Sequence, residues 1–289
     1  MAKGRELKGR IKSVENTRKI TRTMEMVATS KMKRAQDRVV AARPYAGALA
    51  EVIALLYSEA LAERFPLLRQ PEAVRRAAVL VITGNRGLAG AFNTNLIKEG
   101  RQLVARLERE GTQVDLHVVG RKGIGYFKYV NRAIATQRTD IGDRPTAAEA
   151  ASLVDALMAD FAAGTLDAVY VVYAQFRSAL STPPHAQRIL PIEPPPASKG
   201  GAQREYLLYP SAEVILGELL PSYVRNAVYR ALVETTAGFY SAQRTAMKNA
   251  TDNASEMLKV LSRTYNRARQ ANITQEIAEI VGGAAALQG

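Results

Sequence analysis

The chain has 289 residues, with 40 Lys and Arg against 27 Asp and Glu, so its formal net charge is +13 at pH 7. It contains no Cys and only two His, which stand far apart at His117 and His185. This composition excludes a disulfide framework, a thiolate nucleophile and a metal site built on Cys or on several His side chains. The sequence therefore predicts neither a resident metal nor a cofactor.

The N-terminal segment carries most of the excess charge, with thirteen basic and four acidic residues in the first 43. Its apolar residues recur at alternating steps of four and three, which predicts one seam of a coiled coil. Between Val14 and Ala28 the apolar strip passes through Ile20, Met24 and Val27, which predicts an offset in the seam. A second apolar helix follows Pro44 over residues 45–60, and this helix is expected to continue the first with a kink.

The basic stripe on this helix is compatible with a solvated face, nucleic acid, an anionic membrane surface or an acidic protein partner. Residues 1–44 contain no aromatic side chain on which a base could stack, which disfavours single-stranded nucleic acid. Apolar runs such as 77–82 fall far short of the roughly 20 residues that span a bilayer. The charged N-terminus also lacks the apolar core of a signal peptide. These features predict a cytoplasmic chain with no membrane insertion of its own.

The middle of the chain alternates between strand and helix patterns, which is typical of an open, Rossmann-like α/β sheet. One helix begins with Thr146 followed by Glu149, the pattern of a capping box. A linker rich in Pro and Gly follows at residues 194–201. The expected strands are 77–83, 114–119, 169–173 and, as a further candidate, 188–192, with helices at 92–110 and 146–163.

The sharpest local motif is the glycine loop, residues 84–92, between the first strand and the first helix of this region. A glycine-rich turn in this place can hold a phosphate on backbone amides. Its G-x-x-G-x-x-G spacing, however, matches neither the dinucleotide-binding fingerprint nor the P-loop. The residue types therefore favour a structural turn that presents Arg86 to a partner, with a nucleotide site as the alternative.

The C-terminal segment has no Pro from Ser222 to about Ala286, and its apolar strip consists largely of Ala. Small side chains allow a second helix to approach closely. Helices of this length are hard to house in one compact domain, since ordinary helices average 11–12 residues. We therefore expect an antiparallel coiled coil of long N- and C-terminal helices plus a central Rossmann-like α/β domain. The predicted divisions are 1–60, 75–195 and 210–286.

No set of residues in the sequence predicts catalysis. Asp140 and Asp143 could pair for acid–base chemistry, but they stand in a turn rich in Gly and Pro. His117 lies in an apolar strand, which favours a structural role, and His185 follows two prolines in an expected loop. The acidic pair Glu276 and Glu279 is typical of a solvated helix face.

Both ends of the chain carry motifs that resemble the γ subunit of F-type ATP synthases. The N-terminal run I-K-S-V-E-N-T-R-K-I-T at residues 11–21, followed by M-E-M-V-A at 24–28, is similar to the opening helix of that family. L-L-P-S-Y-V at 219–224 resembles the start of its C-terminal helix. I-T-Q-E at 273–276, then Glu279 and G-A at 283–284, match its C-terminal signature.

This resemblance implies a rotor shaft without catalytic residues of its own. The shaft would stand inside a hexamer of α and β subunits, and its α/β domain would form a foot on the c-ring beside the ε subunit. Rotation of the ring would turn the shaft, and the shaft would change the affinities of the three catalytic β-subunit sites in turn. ATP hydrolysis would drive rotation in the opposite direction. The resemblance also implies a peripheral protein on the cytoplasmic face of a bacterial inner membrane.

The family's contact residues map onto a few positions of this chain. Those near the α/β hexamer are Met24, Arg86, Gln270, Thr274 and Glu276. Arg86 would lie near an acidic lever of the β subunit. The foot would include the region of Tyr206.

This chain departs from the family pattern at two places. The glycine loop reads G-N-R-G-L-A-G-A-F-N, whereas the family usually has S-D-[RK]-G-L-C-G-G-[FY]-N. Arg244 stands one position from the family's arginine, so that arginine's role is not transferred to it.

Overall fold

The computed structural model describes residues 2–57, 64–193 and 211–286. These residues divide between two compact units. Met1–Ala28 and Gln243–Gly289 form one unit, called here the two-helix unit. Thr29–Ala242 form the other, called the sheet unit. The predicted linker at 194–201 and the predicted foot residue Tyr206 lie outside the described residues.

Two very long helices begin and end the described chain, with an α/β arrangement between them. A single turn of 3-10 helix at Pro66–Leu68 precedes the first strand. The helices are α1 (Ala2–Leu56), α2 (Phe92–Arg109), α3 (Arg121–Tyr129), α4 (Ala147–Ala162) and α5 (Ala212–Ala286). The strands are β1 (Arg76–Ile82), β2 (Gln113–Val119), β3 (Thr136–Arg138), β4 (Ala168–Ala174) and β5 (Pro184–Leu190).

The sheet has five strands in the order β3-β2-β1-β4-β5. Strands β1 to β4 are parallel, and β5 pairs antiparallel with β4 at one edge. This confirms the predicted Rossmann-like arrangement. The candidate fourth strand at 188–192 is displaced to Pro184–Leu190, while α3 and β3 were not predicted. Helix α3 contains two glycines, which interrupt its apolar periodicity, and β3 is too short to show an alternating pattern.

The side chains of β1 alternate between two cores, one on each face of the sheet. Ala77, Val79 and Val81 pack with α2 and α3 on one face. Ala78, Leu80 and Ile82 pack on the other face with α4 and with parts of the terminal helices. Both faces are therefore covered, which explains the unbroken apolar run of this strand.

The capping box predicted for α4 is present. The backbone N–H of Glu149 donates to Thr146 Oγ1 at 3.2 Å, and the backbone N–H of Thr146 donates to Glu149 Oε2 at 2.7 Å. Two amides of the first turn are thereby satisfied within the helix terminus.

The seam of α1 in the two-helix unit differs from the expected one. Ile20 and Val27 are 59% and 50% exposed, whereas Thr21 and Ala28 are buried. The steps of four and three therefore continue without an offset, and a threonine occupies the place expected for an isoleucine. Thr21 fits there because Thr251 Oγ1 on α5 lies 2.8 Å from its hydroxyl oxygen, so the polar groups are paired.

Helix α1 runs through Pro44 without ending, so the second helix expected from residue 45 is its continuation. The expected end at residue 60 lies outside the described residues. The part of α1 within Arg5–Leu56 is long enough and apolar enough to cross a membrane. Core helices of proteins outside membranes also meet these two criteria. Ala46, Leu49 and Ile53 on this helix are buried within the protein, although only 22% of the apolar window as a whole is buried.

Candidate functional site

The glycine loop follows β1 and is held by its own neighbours. The backbone N–H of Gly84 donates to Asn93 Oδ1 at 2.8 Å, and Asn93 Nδ2 donates to the carbonyl oxygen of Arg86 at 3.1 Å. A Cβ added to Gly84 would lie 3.1 Å from the ring of Phe239. A larger residue here would require small shifts of Phe239 and of Asn93, whose Oδ1 also lies 3.1 Å from that position, so the start of the loop packs tightly against α5.

A small cavity of about 170 Å³ opens between this loop and α5 at the carboxyl ends of β1 and β2. Open α/β sheets commonly bind ligands at this edge. Here Phe239 and Tyr240 of α5 line the cavity, and the Phe239 ring also meets the Phe92 ring edge to face at 5.8 Å between centroids. Aromatic side chains of α5 therefore fill much of the crevice. This favours a structural turn over a nucleotide site as the role of the glycine loop.

Arg86 projects from this loop into solvent, with 63% of its side chain exposed. Its Nη2 lies 3.7 Å from Asp143 Oδ2, within ion-pair range but too far for a direct hydrogen bond. The loop thus presents an exposed cation at the surface of the sheet unit.

Asp143 is the centre of a polar cluster, called here the Asp143 cluster, formed with Lys31, Arg38, Arg86 and Tyr240. Lys31 Nζ donates to Asp143 Oδ2 at 2.8 Å and to the Tyr240 hydroxyl at 3.2 Å. Arg38 Nη1 donates to the carbonyl oxygen of Asp143 at 3.0 Å. The cluster joins α1, α5, the glycine loop and the loop between β3 and α4. The sequence predicts only a turn at Asp143 and does not reveal this role.

The ionisation of the cluster follows from its contacts. Burial alone would raise the pKa of Asp143, but hydrogen bonds from Lys31 and Tyr240 and the charges of Lys31 and Arg86 outweigh burial and lower it. Hydrogen bonds to Asp143 and Tyr240 raise the pKa of Lys31. Burial, followed by the hydrogen bond to Asp143, raises the pKa of Tyr240. At neutral pH the cluster therefore holds a carboxylate, an ammonium group and a protonated phenol.

Asp140 and Asp143 do not form the acid–base pair considered from the sequence. Asp140 accepts two hydrogen bonds from Arg138, at 2.8 and 2.7 Å, and these contacts are the main cause that lowers its pKa to about 2. Asp140 therefore pairs with Arg138, whereas Asp143 binds Lys31 and lies within ion-pair range of Arg86. Within residues 2–57, 64–193 and 211–286, no group of three or more His, Asp or Glu could hold a metal ion.

The two-helix unit contains the other predicted contact residues. Met24 is half-buried on α1, whereas Gln270, Thr274 and Glu276 are exposed on α5. Thr274 Oγ1 donates to the carbonyl oxygen of Gln270 at 3.0 Å, which places these two on successive turns of one helix. The structure therefore brings Gln270 and Thr274 together, while Arg86 belongs to the sheet unit.

Beyond Ala254, none of the side chains that the structure describes on α5 is buried. Large apolar side chains here face solvent, with Ile277 56% and Ile280 71% exposed. Such an unpartnered apolar surface on a long helix is typical of a protein interface.

A family model described as ATP synthase matches residues 3–287 of the chain. The ATP synthase gamma chain of Gemmatimonas aurantiaca is 70% identical over 290 residues, and the match covers 100% of both chains. The chain belongs to the ATP synthase gamma family. The gamma chain of Frankia casuarinae is 44% identical over 293 residues, covering 98% of this chain and 97% of that one.

Solved structures share the fold of this family member. A chain in the Euglena gracilis mitochondrial ATP synthase (OSCP, F1 and c-ring) has a TM-score of 0.67 at 19% identity, covering 99% of this chain and 95% of that one. A chain in the central stalk and c-ring structure of the Tetrahymena thermophila enzyme has a TM-score of 0.63 at 22% identity, covering 80% and 99%. At such identities the likeness concerns the fold alone.

Membership of this family confirms the resemblance seen in the terminal motifs. A gamma chain is a subunit of the ATP synthase and is not itself catalytic, in agreement with the sequence, which predicts no catalytic set. It is a peripheral subunit of a membrane-bound complex.

Proposed function

We propose that this chain is the central-stalk rotor subunit of a bacterial, proton-translocating F-type ATP synthase. In this role it couples rotation of the c-ring to ATP synthesis or hydrolysis at the catalytic sites of the β subunits. The observation that carries the proposal is the 70% identity with the Gemmatimonas aurantiaca gamma chain over both full lengths. Its partners are the α and β subunits of the hexamer, the ε subunit and the c-ring.

The exposed end of α5 supports a shaft that turns inside a protein sleeve. Apolar side chains such as Ile273, Ile277 and Ile280 are 47% to 71% exposed in the chain alone. A surrounding hexamer would remove these side chains from water. Met24, Gln270, Thr274 and Glu276 are proposed as contacts with the hexamer.

The sheet unit supports a second contact with the hexamer and one with the membrane side. Arg86 would face an acidic segment of a β subunit, because its guanidinium is exposed and two further cations, Lys31 and Arg38, bind the same aspartate. The proposed divisions are a coiled-coil helix over 1–60, a foot over 75–195 and a coiled-coil helix over 210–286. The foot, including the region of Tyr206, would rest on the c-ring and ε at the cytoplasmic face of the bacterial inner membrane.

Rotation can be tested directly because the chain contains no Cys. Tyr129 on α3 is 85% exposed, so Tyr129→Cys provides a single labelling site. The variant is co-expressed with α and β subunits, purified, immobilised through the hexamer and labelled with a bead. We expect the bead to rotate in one direction when ATP is added. A chain that never co-purifies with the hexamer, or a bead that stays still during ATP hydrolysis, would contradict the proposal.

The contact at the end of α5 is tested by reversing one exposed charge. Glu276→Lys should lower ATP-driven proton pumping in reconstituted vesicles, while thermal unfolding of the isolated chain stays unchanged. Glu72→Lys reverses an exposed charge outside the proposed foot and both proposed coiled-coil helices, and it serves as the matched control. Equal pumping by both variants would argue against a contact at Glu276.

A further inference from the structure

Arg86 is fixed at its backbone but not at its side chain. Its carbonyl oxygen accepts from Asn93 Nδ2 at 3.1 Å, which holds this part of the loop in place. The guanidinium is 63% exposed, and its ion pair with Asp143 at 3.7 Å leaves the N–H donors able to bind another acceptor. A long, exposed arginine without such a neighbour would sample many rotamers.

Asp143, in contrast, is held from several sides. Lys31 Nζ donates to its carboxylate at 2.8 Å, and Arg38 donates to its backbone carbonyl at 3.0 Å. Lys31 is itself held by Tyr240, whose hydroxyl accepts at 3.2 Å and whose ring centroid lies 5.2 Å from Nζ. The carboxylate is therefore a fixed anion, tied to α1 and α5, and it restrains the direction in which the Arg86 side chain extends.

The charge of the Asp143 cluster leaves a positive excess. Lys31, Arg38 and Arg86 contribute three positive charges against the single carboxylate of Asp143. Lys31 makes the short contact with the carboxylate, and Arg38 donates to the carbonyl oxygens of Arg34 and Asp143. Arg86 is therefore the cation of the cluster that can bind a second acidic group. A carboxylate from outside can bind the guanidinium while Asp143 remains on its other side.

We propose that Asp143 is a positioning residue that holds Arg86 extended from the glycine loop for an acidic segment of a partner protein. This inference rests on the proposed function, since it takes the partner to be a subunit of the same complex. Asp143 touches the partner only through Arg86. Through Lys31 and Tyr240, it also links the position of Arg86 to the two terminal helices.

The test is a double-mutant cycle in the assembled complex. Asp143→Asn, Arg86→Gln and the double variant are compared for ATP-driven proton pumping at matched rates of ATP hydrolysis. We expect each single variant to lower pumping by about two- to fivefold, the effect of an exposed ion pair. The double variant should fall no further than Arg86→Gln alone, because Asp143 acts through that arginine.

Two further variants separate positioning from a structural role. Asp143→Glu should restore most of the pumping, whereas Asp140→Asn, in the same loop but paired with Arg138, should leave it unchanged. Thermal unfolding of the isolated chain records any loss of stability separately. Asp143→Asn should lower the melting temperature less in the Arg86→Gln background than in the wild type, because that background has already lost the ion pair. Additive losses of pumping in the double variant would overturn the inference.

The outcomes distinguish this role of Asp143 from the proposed function. If the wild-type chain does not assemble with a hexamer, the proposed function is wrong. If it assembles and pumps normally, and Asp143→Asn pumps equally well, only the role of Asp143 is wrong.

Discussion

Gly120, between β2 and α3, has a conformation that no other residue type could adopt without strain. Its φ is 97°, and an added Cβ would lie 2.2 Å from the carbonyl oxygen of Thr83. The close approach arises because the loop after β1 and the start of α3 share one narrow space at the edge of the sheet. The Thr83 hydroxyl also accepts from the backbone N–H of Gly123 at 3.0 Å, which fixes that space.

Gly120→Ala should therefore lower the free energy of unfolding by about 3 kcal/mol or more, through backbone strain and overlap. Gly125 lies inside α3 with nothing within 4 Å of an added Cβ, so Gly125→Ala is the matched control. That control should raise stability by roughly 0.5–1 kcal/mol because alanine favours helix. Urea unfolding measures both, and equal effects would contradict the argument.

His117 shows how burial in a strand makes stability depend on pH. Burial lowers its pKa below the ordinary value of 6.5, although the charges of Asp115 and Asp160 partly oppose this. Well above pH 6.5, His117 is neutral in both the folded and the unfolded chain. As the pH falls from 6.5 towards the folded pKa, the unfolded state binds more protons and is favoured.

The free energy of unfolding should thus fall as the pH drops below 6.5, and His117→Gln should reduce this slope. Chemical unfolding of both proteins at several pH values between about 7.5 and 5 measures the difference. Parallel curves for the two proteins would show that His117 does not contribute.

At the scale of elements, α1 and α5 owe their alignment in the two-helix unit partly to a hydroxyl pair. Thr251 Oγ1 lies 2.8 Å from Thr21 Oγ1 and 2.9 Å from the carbonyl oxygen of Met247. The other buried side chains of the two-helix unit are Ala and Met, and these can pack in several alignments of the two helices. A buried polar pair does so, because a shifted register would leave hydroxyl groups without partners.

Thr21→Val and Thr251→Val should each lower the free energy of unfolding by about 1 kcal/mol. The double variant should lose less free energy of unfolding than the sum of the two single losses, because it leaves no hydroxyl of the pair without its partner. Thr17→Val removes an exposed hydroxyl bound to its own helix and should change stability by less than about 0.5 kcal/mol. Additive losses in the double variant would show that the hydroxyls do not act as a pair.

Across the whole molecule, burial is distributed very unevenly between the units. The sheet unit buries apolar side chains on both faces of its sheet. In the two-helix unit, the described buried residues are two Thr, two Ala and one Met, at Thr21, Ala28, Met247, Thr251 and Ala254. The sheet unit therefore has extensive apolar cores, whereas the two-helix unit leaves most of its large apolar side chains exposed.

Replacing Ile277 and Ile280 together by Ser should therefore leave the melting temperature of the isolated chain nearly unchanged. The same change should lower light scattering by the concentrated chain, because exposed apolar side chains favour association between copies. Ile53→Ala, at a fully buried position, should cost about 2–5 kcal/mol in the same protein. Thermal unfolding and light scattering measure the two effects. A large loss of stability from the serine variant would mean that these isoleucines are already packed in the isolated chain.

Elements with strong local signals could be predicted from the sequence. The apolar run of β1 and the Thr146–Glu149 capping box each depend on a few adjacent residues, and both were found where expected. Helix α3 was missed because two glycines and its basic residues hide its single apolar face. Thr21 was missed because an apolar pattern cannot show that a hydroxyl has a partner 230 residues away.

The sequence by itself determined the family, through the motifs at both ends, and the division into long terminal helices and a central α/β region. It also marked Arg86 as an exposed cation, since a loop with that many glycines presents its one long basic side chain to solvent. Only the tertiary structure decided that Asp143 stands beside Arg86 and binds Lys31. Those contacts join segments that are far apart in the chain, and the pairing of charges across such distances depends on the packing of α1, α5 and the sheet.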